Sequence, residues 1–154
     1  LAEYMERTLW KRIGAAHDAY WTLSNGTELA MGGLSVSLRD YARFARLYLK
    51  EGAYNGEQIL TREWIRDSLD ISEGYSKPGA NSDAYNAIGY GYQWWIPEGE
   101  QKEFMAIGVY GQWIYVNPSK QVIIVKTSAD PGFMEKGYEL KHVEFFRAIA
   151  GEIS

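Results

Sequence analysis

The chain has no cysteine among its 154 residues, which excludes disulfides, thiol nucleophiles and thiolate metal sites. The compartment stays open between cytoplasm and periplasm, because many exported proteins also lack cysteine and any signal peptide would lie upstream of Leu1. Histidine is nearly as scarce: His17 and His142 stand alone, in no ligand spacing, and each reads as a surface or core residue. No metal or other cofactor is expected. No apolar run approaches the ~18 residues of a transmembrane helix, so no membrane segment is expected in this chain. The net charge of −4 argues against nucleic acid or an anionic membrane as partner. What remains is the composition of a globular domain, with 46% hydrophobic and 23% charged residues. That length is enough to bury an ordinary core.

Leu1, Met5 and Leu9 repeat at helical spacing, and the helix is expected to stop at Gly14. A chain that opens inside an amphipathic pattern is expected to be a piece whose upstream half is missing. Ser24-Asn25-Gly26-Thr27 signals a turn. Ser37 and Asp40 have capping-box spacing, with Asp where Glu or Gln is usual. They head a helix with Leu38, Tyr41, Ala42, Ala45, Tyr48 and Leu49 on one face and Gly52 as its stop. Arg39, Arg43, Arg46 and Lys50 line another face, read as solvated. A short helix behind Thr61 is expected to turn Trp64, Ile65, Ser68 and Leu69 inward. Residues 70–89 read as a long functional or flexible loop.

Strands are then expected over residues 90–96, 102–108, 112–118 and 121–128, with a proline turn at Asn117-Pro118-Ser119-Lys120. The unbroken Val122-Ile123-Ile124-Val125 suggests burial on both faces. A closing helix places Leu140, Val143, Phe146, Ile149 and Ala150 on one side and ends at Gly151. The fold class is α+β: an antiparallel sheet meander with flanking helices, in which residues 1–89 are mainly helical and loop and residues 90–154 hold the strands and closing helix.

No G-x-S-x-G occurs, and the order of Ser, His and Asp suggests no familiar triad. Glu98 with Glu100 and Asp67 with Asp70 read as solvated charges rather than a glycosidase pair. Tyr90, Tyr92, Trp94 and Trp95 could stack sugars or bases, although alternate aromatics in a strand usually divide between core and half-exposed face. Val125-Lys126-Thr127-Ser128 reads as a decoy that merely ends a strand. The stretch "AIGVYGQWIYVNP" is different. Gly108 and Gly111 bracket a tight reversal where a bare backbone permits positive φ and close approach of another molecule. An N–H left unpaired beside such a bend can stabilise a developing oxyanion; a plain hairpin turn is the alternative.

Three segments, "GGLSVSLRDYARFARLYLKEGAYNGEQIL", "YGYQWW" and "AIGVYGQWIYVNP", together resemble the C-terminal half of the serine β-lactamase-like superfamily. That superfamily includes class C β-lactamases, penicillin-binding carboxypeptidases, family VIII esterases and nylon-oligomer hydrolases, the last being most similar in style. The resemblance covers nearly the whole chain. It implies a partial β-lactamase/transpeptidase-like fold and a Ser nucleophile in Ser-x-x-Lys, a Tyr in Tyr-x-Asn or Tyr-x-Ser, and a third strand motif, often Lys-Thr-Gly. Here Ala106-Ile107-Gly108 matches the third element. The resemblance makes the N–H of Val109 the second oxyanion-hole donor, with Tyr110, Gly111 and Gln112 beside the substrate and Gly32 and Gly33 near the cleft mouth.

Ser-x-x-Lys is absent and Tyr-x-Asn is read as absent too; the family carries both upstream of the matched stretch. Ala106 replaces the lysine that contacts a substrate carboxylate in β-lactamases, which favours a neutral ester or amide. The expected partners are therefore a small-molecule ester or amide and the missing N-terminal half of the same protein. The chain would supply a wall of an acyl-transfer site without its nucleophile. The alternatives are a non-catalytic glycan or peptide binding module and a degenerate cell-wall sensor. A sheet edge left open by missing strands is expected to recruit a second copy.

Overall fold

The computed structural model describes residues 1–74, 76–78 and 88–153, and its centre is one antiparallel sheet. Its strands are β7 (Ile88–Gly91), β8 (Trp94–Pro97), β9 (Phe104–Gly108), β10 (Gln112–Asn117) and β11 (Val122–Lys126), each paired with its sequence neighbour. The expected single strand over residues 90–96 is instead a hairpin. Gln93 takes φ 72° and reverses the chain, so that Tyr90 faces Trp95 and Gly91 faces Trp94 across the ladder. Much of the long loop expected over residues 70–89, namely residue 75 and residues 79–87, lies outside the described residues.

The central strand β10 is withdrawn from water on both faces. Trp113 and Tyr115 point to one side and pack with Met105, Val122 and helix α4 (Tyr138–Glu152) through Val143, Phe146 and Ala150. Ile114 and Val116 point to the other, where α2 (Leu38–Leu49) and α3 (Arg62–Ser68) bring Ala45, Tyr48 and Ile65. The result is a helix–sheet–helix sandwich. Strand β11 sends Val122 and Ile124 to the first core and Ile123 and Val125 to the second, so its apolar run does serve both faces. Three expected core residues lie outside: Leu38, Trp64 and Leu140 are exposed, with Trp64 resting on Tyr92 at 5.4 Å. Leu47, which the periodicity passed over, is fully buried in a third cluster with Trp10 and Ile13.

The N-terminal segment runs from α1 (Ala2–Met5) into a wider π-turn over Glu6–Trp10 and reaches Gly14 at φ 68°, where the helical stop was expected. Short two-residue strands follow: β1 (Tyr20–Trp21) pairs with β4 (Leu34–Ser35), β2 (Leu23–Ser24) with β3 (Thr27–Glu28), and β5 (Ala53–Tyr54) with β6 (Glu57–Gln58). Residues 1–89 thus carry more strand than expected. On the stripe of cations along α2, Arg43 pairs with Asp40 and Arg46 lies over the Tyr54 ring at 4.5 Å.

Asp40 ties the N-terminal segment to α2. The Ser37 hydroxyl caps the helix by accepting the Asp40 N–H at 3.2 Å and donates its own proton to Asp40 Oδ2 at 2.7 Å, so the acid meets the cap through its hydroxyl rather than through the backbone N–H of a capping box. The carboxylate has no exposed surface and also receives the Ala16 N–H at 2.9 Å, His17 Nδ1 at 3.1 Å and Arg43 Nη1 at 2.7 Å. Burial by itself would raise its pKa; the donations from Ala16, Ser37, His17 and Arg43 outweigh it and hold the carboxyl well below the usual range.

A depressed carboxylate pKa stabilises the fold above the unfolded value of ~3.9 and loses that contribution as pH falls toward the folded value. Asp40→Asn is therefore expected to destabilise the chain at pH 7 by roughly 1–3 kcal/mol, the scale of lost hydrogen bonds to a charged group, since the partners left behind, Arg43 and His17, reach solvent. It should also flatten the loss of stability below pH ~4. Urea melts between pH 7 and pH ~2.5 check this; an unchanged acid slope would exclude Asp40 as its source.

Candidate functional site

Strands β9 and β10 meet at a reversal over Gly108-Val109-Tyr110-Gly111, with Gly108 facing Gln112 in the last ladder pair. The Gly111 N–H closes the turn on Gly108 O at 3.2 Å. Tyr110 has φ 62° and Gly111 φ 80°. A non-glycine residue in that region costs roughly 1–2 kcal/mol, so something must hold Tyr110 there. Its side chain contributes by packing edge-on against Phe133 at 5.1 Å. At Gly111 no side chain fits: a Cβ would lie 2.3 Å from the Tyr138 hydroxyl and 2.7 Å from Ser128 Oγ.

The remaining hold comes from behind. Ser128 Oγ donates toward Tyr110 O at 2.6 Å and Gly111 O at 2.9 Å, and Lys126 Nζ donates to Gly111 O at 3.1 Å and Ser128 Oγ at 3.0 Å. The Asp130 N–H also reaches Tyr110 O at 3.1 Å, and the Gln112 side-chain amide pairs with the Ser128 backbone. Lys126 and Ser128 are thus part of the turn's support, a role that the sequence reading of residues 125–128 as a decoy for the Lys-Thr-Gly motif did not include. The register explains it: Trp113 faces Lys126, so the end of β11 is carried back to the reversal. The pair is no Ser–Lys nucleophile here. An ammonium that donates to a hydroxyl cannot take its proton, and that hydroxyl spends its own proton on carbonyls.

In front of the turn is a groove of about 150 Å³, lined by Trp95, Ile107, Gly108, Val109, Gly111, Phe133, Tyr138 and Glu139. Val109 is 61% exposed, and among the described residues its N–H has no hydrogen-bond acceptor. Behind the groove, burial raises the Tyr138 pKa, and neighbouring Asp130 adds to the effect. The hydroxyl of Tyr138 and the indole N–H of Trp113 are buried without a hydrogen-bond partner among the described residues.

Of the residues singled out from sequence, Ile107, Gly108, Val109 and Gly111 come together on this groove. Tyr110 stands beside it, 54% exposed, while Gln112 turns to Ser128. Ala106 packs into the core beneath α2. Gly32 and Gly33 sit in a turn whose carbonyls accept from the Trp21 indole and the Thr22 N–H, and neither lines the groove. Trp95, named from the sequence only as a stacking candidate, also lines it, and Phe133, Tyr138 and Glu139 were not foreseen, because the turn at Pro131–Met134 and the start of α4 reach the groove only through tertiary packing.

Two further readings change. Tyr115-Val116-Asn117 does spell Tyr-x-Asn, contrary to the absence read from the sequence. Both side chains are fully buried at the far end of β10, however, where the Tyr115 hydroxyl bonds to Glu103 and Asn117 Nδ2 donates to it at 3.1 Å. Burial first, and Glu103 second, push that phenol up, which leaves it a structural donor. The aromatic quartet forms no platform either. Trp94 is buried among Phe44, Tyr48 and Phe104, Trp95 pairs with Tyr90 on the opposite face, and Tyr92 leans on Trp64. The four rings are thus divided between the two faces of the sheet and the helix α3 rather than gathered on one surface.

Residues 2–146 match the Beta-lactamase family. The chain is 31% identical over 132 residues to the 6-aminohexanoate-dimer hydrolase of Paenarthrobacter ureafaciens, an alignment covering 84% of this chain and 33% of that protein. A solved structure from Bacillus anthracis, assigned as a 6-aminohexanoate-dimer hydrolase, superposes with a TM-score of 0.83 at 32% identity, over 97% of this chain and 38% of the other. A structure from Bacteroides dorei DSM 17855, assigned as a β-lactamase, shares the fold with a TM-score of 0.62 at 16% identity, over 94% of this chain and 50% of its own. The chain therefore spans a third to a half of the length of these relatives.

Gly111→Ala is expected to cost roughly 1–3 kcal/mol, because φ 80° and the crowded Cβ position both penalise it. Gly32→Ala, which meets nothing within 4 Å, should be nearly neutral. Urea denaturation of the two variants compares them; equal midpoints would show that the reversal has room to spare.

Proposed function

The chain belongs to the Beta-lactamase family of hydrolases, and on that premise we propose that it forms one wall of an acyl-transfer site in a serine hydrolase of esters or amides. The observation that carries the reading is Val109, exposed at the edge of a groove on a turn held at positive φ, with its N–H lacking an acceptor among the described residues.

In this reading a serine from elsewhere in the complete protein attacks the substrate carbonyl, activated by a Lys/Tyr pair also outside these residues. The electron pair of the C=O bond moves to oxygen, and the Val109 N–H donates to that oxyanion together with the N–H of the serine. Collapse expels the alcohol or amine, and water then releases the acyl group. A donor fixed before reaction stabilises charge that exists only in the transition state, so it acts on kcat.

The groove supports a choice of substrate. Trp95, Ile107 and Phe133 offer apolar walls, and a space near 150 Å³ suits an unbranched aliphatic chain. Glu139 adds a carboxylate to the lining, which disfavours a substrate carboxylate at this end. The dimer of 6-aminohexanoate, named for the relative, is a linear amide whose amino end suits Glu139 while its carboxylate lies at the opposite end, and it fits an unbranched groove better than a penicillin does.

Val109→Pro deletes the donor and should lower kcat of the complete protein roughly 100- to 1,000-fold on a chromogenic ester. Unchanged turnover by a folded variant would contradict the role. The 154 residues alone, lacking Ser-x-x-Lys, should leave both a chromogenic ester and a chromogenic cephalosporin intact, and turnover of either would refute the division of labour. Glu139→Gln should improve kcat/KM for an anionic ester relative to a neutral one; an unaltered ratio would remove Glu139 from substrate selection.

A further inference from the structure

We propose that Ser128, supported by Lys126, is a positioning residue that sets the direction of the Val109 N–H. The inference rests on the acyl-transfer reading and concerns how its donor is aimed.

The argument follows two peptide planes. A trans peptide is rigid, and its C=O and N–H point in opposite directions. The Val109 N–H shares a plane with the Gly108 C=O, and Gly108 O accepts the Gly111 N–H at 3.2 Å. The Gly111 N–H in turn shares a plane with the Tyr110 C=O, whose oxygen receives Ser128 Oγ at 2.6 Å and the Asp130 N–H at 3.1 Å. Holding the Tyr110 carbonyl therefore fixes the Gly111 N–H. Through the Gly108 carbonyl, that bond turns the Val109 N–H outward from the closed side of the turn. Lys126 Nζ, at 3.0 Å from Ser128 Oγ and 3.1 Å from Gly111 O, leaves the serine proton free for the carbonyls and anchors the next plane.

The Asp130 N–H reaches the same Tyr110 oxygen at 3.1 Å, from the segment after β11 that also carries Ser128. Ser128 differs in holding two successive carbonyls, those of Tyr110 and Gly111. Tyr110 is held against a conformation it disfavours, at φ 62°. Loss of the serine hydroxyl lets that residue relax, and relaxation rotates both planes together.

The test is made in the complete protein with Ser128→Ala, Ser128→Thr, Lys126→Met and Val109→Pro, measuring kcat, KM and Tm for each on the ester substrate. Ser128→Ala should lower kcat roughly 10- to 100-fold, the scale of a small misplacement of a reacting group, with KM within about threefold of wild type. Lys126→Met should show a smaller loss in the same direction, and Ser128→Thr, which keeps the hydroxyl, should stay within about threefold. If folded Ser128→Ala keeps wild-type kcat while Val109→Pro loses it, the positioning role falls and the donor stands. If neither variant loses activity, the donor reading itself falls and takes this inference with it. A Ser128→Ala defect matched by Ser128→Thr, or accounted for by a smaller folded fraction in the melt, would also overturn it.

Discussion

Because Trp113 and Tyr115 on one face of β10 and Ile114 and Val116 on the other are all withdrawn from water, the strand needs a helix on each side. Helices α4 and α2 supply them. Burying one large side chain contributes about 1.5–3 kcal/mol, and four in alternation commit the strand to a single register, since a shift of one residue would exchange the two faces. The register then decides the rest. It sets Gly108 against Gln112 at the reversal and Trp113 against Lys126 behind it. The polar groups that support the turn arrive there as a by-product of core packing.

The two ends of the β9–β10 hairpin are built for different purposes. At the far end, Glu103, nearly sealed from solvent, bonds the Tyr115 hydroxyl and an Arg147 that also reaches the Glu98 carbonyl at 2.7 Å. Every strong partner there is spoken for, and the cluster pins α4 to the sheet. At the near end the hydrogen bonds are one-sided. Carbonyls of Tyr110 and Gly111 are occupied from behind, and the Val109 amide has no acceptor among the described residues. Such asymmetry suits a donor that must be rigid and yet available.

How much of this was legible in the sequence depended on range. Helix α2 could be read closely, because Ser37 and Asp40 mark its start and the apolar spacing its inner face; both signals are local. The reversal at Gly108–Gly111 was legible for the same reason, through glycine's tolerance of positive φ. The hairpin between β7 and β8 was not, since its reversal falls on Gln93 at φ 72°, a residue that carries no turn signal, inside a run of aromatics that favours extended chain. Trp64 and Leu140 followed their periodicities and still ended outside, because a short helix and a helix end offer only a narrow strip to the core. Asp40 was recognised as a cap but not as the hub for Ala16, His17 and Arg43, partners spread along the chain. Lys126 and Ser128 were dismissed because their importance comes from strand register, which a reading along one strand does not contain.

The open donor belongs to the main chain, and the side chains on either side of it are largely in solvent. In the proposed reading, Val109 can therefore be exchanged for residues of other size or polarity at little cost to its backbone hydrogen, whereas Tyr110 is tied to Phe133 and to a positive φ. Drift at Val109 would then reshape what the groove admits and leave the donor in place.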